Sequence, residues 1–114
     1  MASEYILPDR TIANNQSVQV DDGQLKWTET ADAANAEPIF EDNTNPGTYW
    51  KMFIDDGQIA IESTVTVQDD VVQLEDLTTA QLWTFEVNDG QLAINDGISL
   101  VAIGGPLPWK RRRR

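Results

Sequence analysis

The sequence predicts a compact all-β domain with threefold pseudosymmetry and about twelve short strands. Three observations support this prediction. A six-residue motif occurs three times, apolar and polar residues alternate around each copy, and no segment shows the period of a helix. The chain has 114 residues, 40% of them hydrophobic, which suits one domain that buries its own core.

The repeated motif consists of an apolar residue, Asp or Asn, then Asp-Gly-Gln and a second apolar residue. It occurs at 20–25, 54–59 and 87–92, so its glycines are 34 and 33 residues apart. Because an Asp-Gly pair tolerates the positive φ angles of a tight hairpin, we expect each copy to be a turn between two strands. Its acidic and amide side chains are also of the kind that binds sugar hydroxyls.

An ungapped alignment extends from the motif in both directions and defines three repeats. It places apolar or aromatic residues at matched positions, for example Tyr5, Ile39 and Val72 upstream of the motif. The resulting division is a single domain, 1–103, made of repeats 4–37, 38–70 and 71–103, followed by a basic tail, 104–114.

Alternation around each motif predicts about four strands per repeat. In the third repeat, 82–87 alternates strictly, and the strands 91–94 and 98–102 follow the turn. The corresponding segments of the second repeat are 39–40, 49–54, 58–61 and 65–68.

Apolar residues at matched positions are expected to meet in one core near the pseudo-threefold axis. We expect Trp27, Trp50 and Trp83 to be buried as well, rather than to stack on a sugar, because tryptophan side chains commonly fill protein cores. The matched core positions are Val18, Met52 and Phe85; Val20, Ile54 and Val87; and Leu25, Ile59 and Leu92.

Part of the third repeat, residues 72–92, resembles the R-type (ricin B-like) lectins, whose fold is the β-trefoil. The sequence Gln-Leu-Trp at 81–83, followed by Asp-Gly at 89–90, matches the Gln-x-Trp element and the hairpin of that family. The second repeat keeps Trp50 without the glutamine, and the first repeat lacks the tryptophan. The repeats are also shorter than is usual for the family.

The monocot mannose-binding (β-prism II) lectins offer a second resemblance, because they too have three short repeats. Their site motif is Gln-x-Asp-x-Asn-x-Val-x-Tyr; positions 20–28 keep its Asp, as Asp22, and depart from it elsewhere. We favour the β-trefoil over β-prism II because Gln-x-Trp at 81–83 is the closer match. Both resemblances imply non-catalytic recognition of a glycan.

The resemblance to R-type lectins also implies which residues hold the sugar. In that family they are an Asp near the first strand of a repeat, an aromatic residue, and amide residues around the Gln-x-Trp element. No repeat of this chain has the complete set. The candidate ligand-binding residues are Asp69, Asp70 and Gln81 for the third repeat, Asp32 and Asn45 for the second, and Asn14 and Asn15 for the first.

The charge of the chain is unevenly distributed. Asp and Glu total 19 against 8 Lys and Arg, and five of these eight form the run 110–114, so the preceding residues carry a net charge of −16. An acidic body repels nucleic acids and anionic membranes, so neither is an expected partner of the body. We expect the tail, with Trp109, to pack on acidic surface in its own chain or in a homo-oligomer.

The composition argues against catalysis and against a resident metal or cofactor. The chain has neither cysteine nor histidine, which excludes thiolate and His-based nucleophiles and His or Cys metal sites. Acidic pairs such as Asp55-Asp56 match no EF-hand pattern, so we expect them to be solvated rather than bound to calcium. We expect neither an enzyme nor a bound cofactor or metal.

Two further expectations concern function and location. The alternative to a lectin is a protein-binding β-trefoil such as a protease inhibitor, which would project one extended loop. The longest candidate loop, 28–37, is short for that purpose and favours the lectin.

Residues 1–4 have neither a basic nor an apolar signal segment, so we expect a cytoplasmic protein or one released without a signal peptide.

Overall fold

The chain forms three small β-sheets around one core, which confirms the predicted all-β class. The computed structural model describes residues 2–102 and, in the tail, the backbone of 110–112. Sheet 1 consists of β1 (Tyr5–Leu7), β2 (Asn15–Asp21) and β3 (Gln24–Thr30). Sheet 2 consists of β4 (Ile39–Glu41), β5 (Tyr49–Asp55), β6 (Gln58–Thr64) and β11 (Lys110–Arg112). Sheet 3 consists of β7 (Gln73–Glu75), β8 (Leu82–Asn88), β9 (Gln91–Asn95) and β10 (Leu100–Ala102).

Each sheet is built from consecutive antiparallel strands, and its centre is a long hairpin. The hairpins are β2–β3, β5–β6 and β8–β9. In sheet 3 the next strand, β10, pairs antiparallel with β9, whereas in sheet 2 the tail strand β11 pairs parallel with β6. Apart from β11, the strands of each sheet fall within one of the predicted repeats.

The Asp-Gly motif forms the turn of each hairpin, as predicted. Both central residues of a type I′ turn need positive φ, which explains the pair without any ligand. The φ angles are 52° and 76° at Asp22 and Gly23, 53° and 74° at Asp56 and Gly57, and 51° and 73° at Asp89 and Gly90.

The matched apolar positions form the core, which confirms the prediction for eight of nine residues. Those eight are at most 3% exposed and belong to one cluster, and Leu25 packs against it while half-buried. Trp83 is 5% exposed, whereas Trp27 and Trp50 are only partly buried. The eight residues are Val18, Val20, Met52, Ile54, Ile59, Phe85, Val87 and Leu92.

The prediction of a strand at 65–68 is wrong, and eleven strands are described rather than about twelve. β6 runs on to Thr64, which pairs with Tyr49, the first residue of β5. The chain before Tyr49 turns away through a loop, so no strand of the described residues continues the pairing beyond Thr64. Val65 and Val67 are accordingly 97% and 78% exposed.

The ungapped alignment is wrong at one place, upstream of the hairpin in the second repeat. Tyr5 lies opposite Val18, but the N–H of Met52 is bonded to the carbonyl of Pro38, not to that of the next residue. The cause is one extra residue in the loop 43–48 of the second repeat. Because of this residue, upstream positions of the first repeat correspond to positions of the second that lie 33, not 34, residues later.

The corrected alignment brings three aspartates into register: Asp9, Asp42 and Asp76. We call them the turn-binding aspartates, because each accepts hydrogen bonds from the hairpin turn of a neighbouring sheet. Asp42 and Asp76 are 1% and 3% exposed, and Asp9 is partly exposed. Each one directly follows the first strand of its sheet or lies two residues after it.

Asp76 shows the full arrangement. Its two carboxylate oxygens accept five hydrogen bonds of 2.7–3.2 Å. In addition, the N–H of the next residue, Leu77, donates to the carbonyl of Val20 at 2.9 Å. The donors to Asp76 are the N–H groups of Asp22 and Gly23 in sheet 1, those of Thr78 and Thr79 in its own loop, and the indole Nε1 of Trp83.

The other two turn-binding aspartates repeat this arrangement and complete a cycle. Asp42 of sheet 2 accepts from the turn of sheet 3, at 2.9 Å from Asp89 N and 2.8 Å from Gly90 N. Asp9 of sheet 1 accepts from the turn of sheet 2, at 3.1 and 2.8 Å from the N–H groups of residues 56 and 57. Since Asp76 of sheet 3 binds sheet 1, the three contacts form a closed ring.

Hydrogen bonding keeps these carboxylates ionised. Burial raises the pKa of Asp76 because it penalises the charged form, but the backbone N–H donors outweigh burial and hold the pKa well below its ordinary value. The pKa values of Asp9 and Asp42 are lowered by the same balance. Each contact between sheets is therefore charge-assisted, which makes it stronger than a bond between neutral groups.

The predicted packing of the basic tail and Trp109 on acidic surface concerns side chains that lie outside the described residues. Within the described part of the chain, no helix is long and apolar enough to cross a membrane.

Replacing Phe85 with alanine should lower the free energy of unfolding by about 3–5 kcal/mol, because the ring is 3% exposed in the shared core. Urea unfolding measures this loss. Val65→Ala is the control, since Val65 is 97% exposed and its truncation should change stability by less than about 0.5 kcal/mol. Equal effects of the two substitutions would contradict the assignment of the core.

Asp76→Asn should destabilise the protein by about 3 kcal/mol, because the part-buried N–H groups of the sheet 1 turn lose a charged acceptor. Asp96→Asn is the matched control. Asp96 also accepts backbone N–H groups, from Ile98 and Ser99, but these lie in its own loop and join no sheets. If thermal or urea unfolding gives the two variants the same stability, the contact between sheets is not what stabilises the fold.

The stability difference between the wild type and Asp76→Asn should shrink as the solution is acidified. The pKa of Asp76 is lowered in the folded state, so its contribution is complete above the unfolded pKa of about 3.9 and is lost as pH falls below it. Unfolding measured between pH 7 and pH 2 tests this expectation. A difference that stays constant over this range would show that ionisation of Asp76 is not coupled to folding.

Candidate functional site

A polar trough lies along the outer face of sheet 3. It consists of two cavities, of about 350 and 210 Å³, that share Thr84 and Glu86. The larger is also lined by Gln73, Leu82, Asn95, Asp96 and Gly97. The smaller is also lined by Glu41, Asn43, Asp69, Asp70 and Val71, and by the nearly buried Phe40 and Phe85.

Strand register places the central side chains of the trough. Gln73 on β7 lies opposite Thr84 on β8, which in turn lies opposite Asn95 on β9. Directly opposite residues share a face of the sheet, so these three form a row across three strands. Strand alternation directs Trp83 and Phe85 into the core, which leaves Thr84 on the outer face.

Hydrogen bonds between side chains hold this row in place. Gln73 Nε2 donates to Thr84 Oγ1 at 3.1 Å. The carboxylate of Glu86 accepts from Asn95 Nδ2 at 3.3 Å and from Asn88 Nδ2 at 2.6 Å. The amides are thereby fixed in orientation, while each keeps groups that can donate to or accept from a ligand.

The trough is acidic. Glu41, Asp69, Asp70, Glu86 and Asp96 line it, and none of the described lining residues is basic. The backbone N–H groups of its own loop, at Ser99 and Ile98, lower the pKa of Asp96. A surface of this charge favours neutral or cationic ligands over anions.

Asp69 and Asp70, two of the residues singled out from the sequence, line the smaller cavity but also have partners in the fold. Asp70 Oδ2 accepts the N–H of Ile39 at 2.9 Å, and the N–H of Asp70 donates to the carbonyl of Ile39 at 2.7 Å. Asp69 Oδ1 accepts the N–H of Glu41 at 3.1 Å. Both therefore hold the edge strand β4, a role that the sequence did not suggest.

Gln81 is exposed, and it does not line either cavity of the trough. Its backbone carbonyl accepts the N–H of Asp76 at 2.7 Å, and its own N–H donates to Thr79 Oγ1. The structure therefore brings Asp69 and Asp70 together without Gln81.

The remaining candidates lie on two other surfaces. Asn15 Nδ2 donates to the carbonyl of Asp32 at 2.7 Å, and Asn14 Nδ2 lies 3.4 Å from Glu29 Oε2, so Asp32 joins the candidates of the first repeat. Asn45, its expected companion in the second repeat, instead donates to Asp89 Oδ1 at 3.1 Å. Asp32 and Asn45 thus have separate partners.

Sequence reasoning did not single out Gln73, Thr84, Glu86 or Asn95, which form the centre of the trough. A signal was present in the differences between repeats. In the corrected alignment Gln73 stands where the second repeat has Ile39, and Glu86 stands where it has Phe53. Polar residues at positions that are apolar in the second repeat therefore mark this part of the outer face of sheet 3.

Among the described residues, no group of three or more acidic side chains is placed to hold a metal ion.

The chain was also compared with known protein families, curated proteins and solved structures. No protein-family model, curated protein or solved structure matches the chain.

Proposed function

We propose that the protein binds a neutral glycan in the polar trough of sheet 3. The observation that carries the proposal is the ordered row of Gln73, Thr84 and Asn95, backed by Glu86. These side chains offer both donors and acceptors, as a sugar hydroxyl requires. The larger cavity, about 350 Å³, is within the size range of small-ligand pockets.

Charge supports a neutral ligand over an acidic one. Five carboxylates line the trough, so a sialylated or sulfated glycan would meet like charge. The rings of Phe40 and Phe85 are 2% and 3% exposed, which leaves them little surface for stacking. Recognition in this site therefore depends on hydrogen bonds to hydroxyl groups.

The proposal fits both threefold lectin folds to which the sequence is similar. Strand pairing within each repeat supports the β-prism II alternative, while Gln-Leu-Trp at 81–83 supports the β-trefoil. A glycan site centred on one repeat and bordered by its neighbour is compatible with either.

Glu86→Ala should weaken binding of a neutral glycan by about tenfold or more, because it removes the charged acceptor that orients Asn95. A glycan array identifies the probe, and titration calorimetry measures the affinity. The matched control is Gln19→Ala, because Gln19 occupies the corresponding outer position of sheet 1. Its affinity should equal that of the wild type.

Gln81→Ala separates this site from the one that the family resemblance implies. Gln81 lies outside the trough, so its truncation should leave affinity unchanged. Loss of binding in this variant alone, with unaltered thermal stability, would place the glycan at the Gln-x-Trp element and overturn the proposed site. Absence of binding to every glycan on the array, or binding of acidic glycans only, would overturn the proposed function.

A further inference from the structure

Among the described residues, sheet 1 has three strands, whereas each of the other two sheets has four. In sheets 2 and 3 the second strand of the hairpin is followed at its outer edge by a fourth strand, β11 on β6 and β10 on β9. The corresponding strand of sheet 1 is β3, and no described residue pairs with its outer edge. This is a seven-residue edge.

The side chains beneath this edge are incompletely covered. At the two matched inner positions, β6 and β9 carry residues that are 0% exposed. In β3 the same positions are occupied by Leu25 and Trp27, which are only partly buried. The fully buried counterparts are Ile59 and Ile61 in β6 and Leu92 and Ile94 in β9.

The geometry of the hairpin shows which backbone groups of β3 face outward. Asp21 and Gln24 flank the two-residue turn and form its closing hydrogen-bonded pair, and such pairs alternate along the ladder. The N–H and C=O groups of Leu25, Trp27 and Glu29 therefore point away from β2. They are available to an added strand.

The first strand of each sheet (β1, β4 and β7) forms the opposite edge and is held by specific contacts, unlike β3. The side chain and N–H of Asn35 bind the N–H and carbonyl of Ile6 in β1. Asp70 binds Ile39 of β4 in the same way, and Ala2 accepts the N–H of Glu75 in β7. No such contact to the outward backbone groups of β3 is found among the described residues.

Charge indicates the chemistry of the missing strand. The sequence 21–32, which includes β3, has four acidic residues, Asp21, Asp22, Glu29 and Asp32, and one basic residue, Lys26. Lys26 Nζ is bonded to Asp21 Oδ2 at 3.2 Å, along its own hairpin. The corresponding edge of sheet 2 accepts 110–112, whose sequence is Lys-Arg-Arg, so a basic strand is already accommodated at an equivalent position.

We propose that the outer edge of β3 binds an extended, basic peptide segment of another protein as a fourth strand. Backbone hydrogen bonds to Leu25, Trp27 and Glu29 supply the affinity, and apolar side chains on one face of the segment cover Leu25 and Trp27. The carboxylates of Asp21, on the other face of the hairpin, and of Asp22 in the turn select Lys or Arg there. This surface is separate from the polar trough, so the proposal does not depend on glycan binding.

The test uses the full-length protein and an octapeptide of alternating Lys and Val as the probe. Glu29→Pro removes one outward N–H without breaking the β2–β3 ladder, so it should weaken binding about tenfold. Glu29→Gln is the control for charge: it keeps the N–H and should weaken binding by less than about fivefold. An octapeptide of alternating Glu and Val should not bind.

Hydrogen exchange supplies a measurement that does not depend on any variant. Addition of the Lys-Val peptide should protect the N–H groups of Trp27 and Glu29 in the wild-type protein. Protection elsewhere, no protection, or equal binding of the Glu-Val peptide would overturn the proposal. The other possible occupant of the edge is a second copy of the chain, which sedimentation and hydrogen exchange without peptide test. A dimer in which these N–H groups are already protected would assign the edge to that copy and also overturn the proposal.

Discussion

The fold depends on a carboxylate that accepts the backbone N–H groups of a turn in another sheet. Each sheet alone is a hairpin with short flanking strands, which buries only one face and is marginal in isolation. The turn-binding aspartates connect the sheets at the points where the hairpins reverse, and there the type I′ turns direct two adjacent N–H groups at one acceptor. Without these acceptors, two N–H donors in each turn would lose their partners in the neighbouring sheet.

This constraint also explains why the Asp-Gly motif occurs in all three repeats. Asp22 and Gly23 adopt positive φ and donate their N–H groups to Asp76, so the motif is used by the backbone of the fold. The side chains on the outer faces of the sheets do not form these turn contacts, and they differ between repeats. Sheet 3 presents amides and carboxylates there, whereas Phe53 of sheet 2 is covered by the guanidinium of Arg10 at 3.7 Å.

Local patterns allowed the all-β class, the turns and most of the core to be predicted from the sequence. Alternation around Phe85 and the Asp-Gly pairs each depend on near neighbours in the chain. The contacts between sheets could not be predicted in this way, because one extra residue in the loop 43–48 takes Asp42 out of an ungapped alignment. The trough could not be predicted either, because only the register of three strands places Gln73 and Asn95 in one row, on either side of Thr84.

The ring of contacts has a consequence for how such a chain is assembled. Every repeat carries both halves of the same contact, an aspartate acceptor and a turn donor, directed at different neighbours. In the language of oligomers this is a head-to-tail interface that closes after three copies. Three separate copies of a one-repeat chain would satisfy it as fully as three fused repeats, because joining the copies creates no new interface.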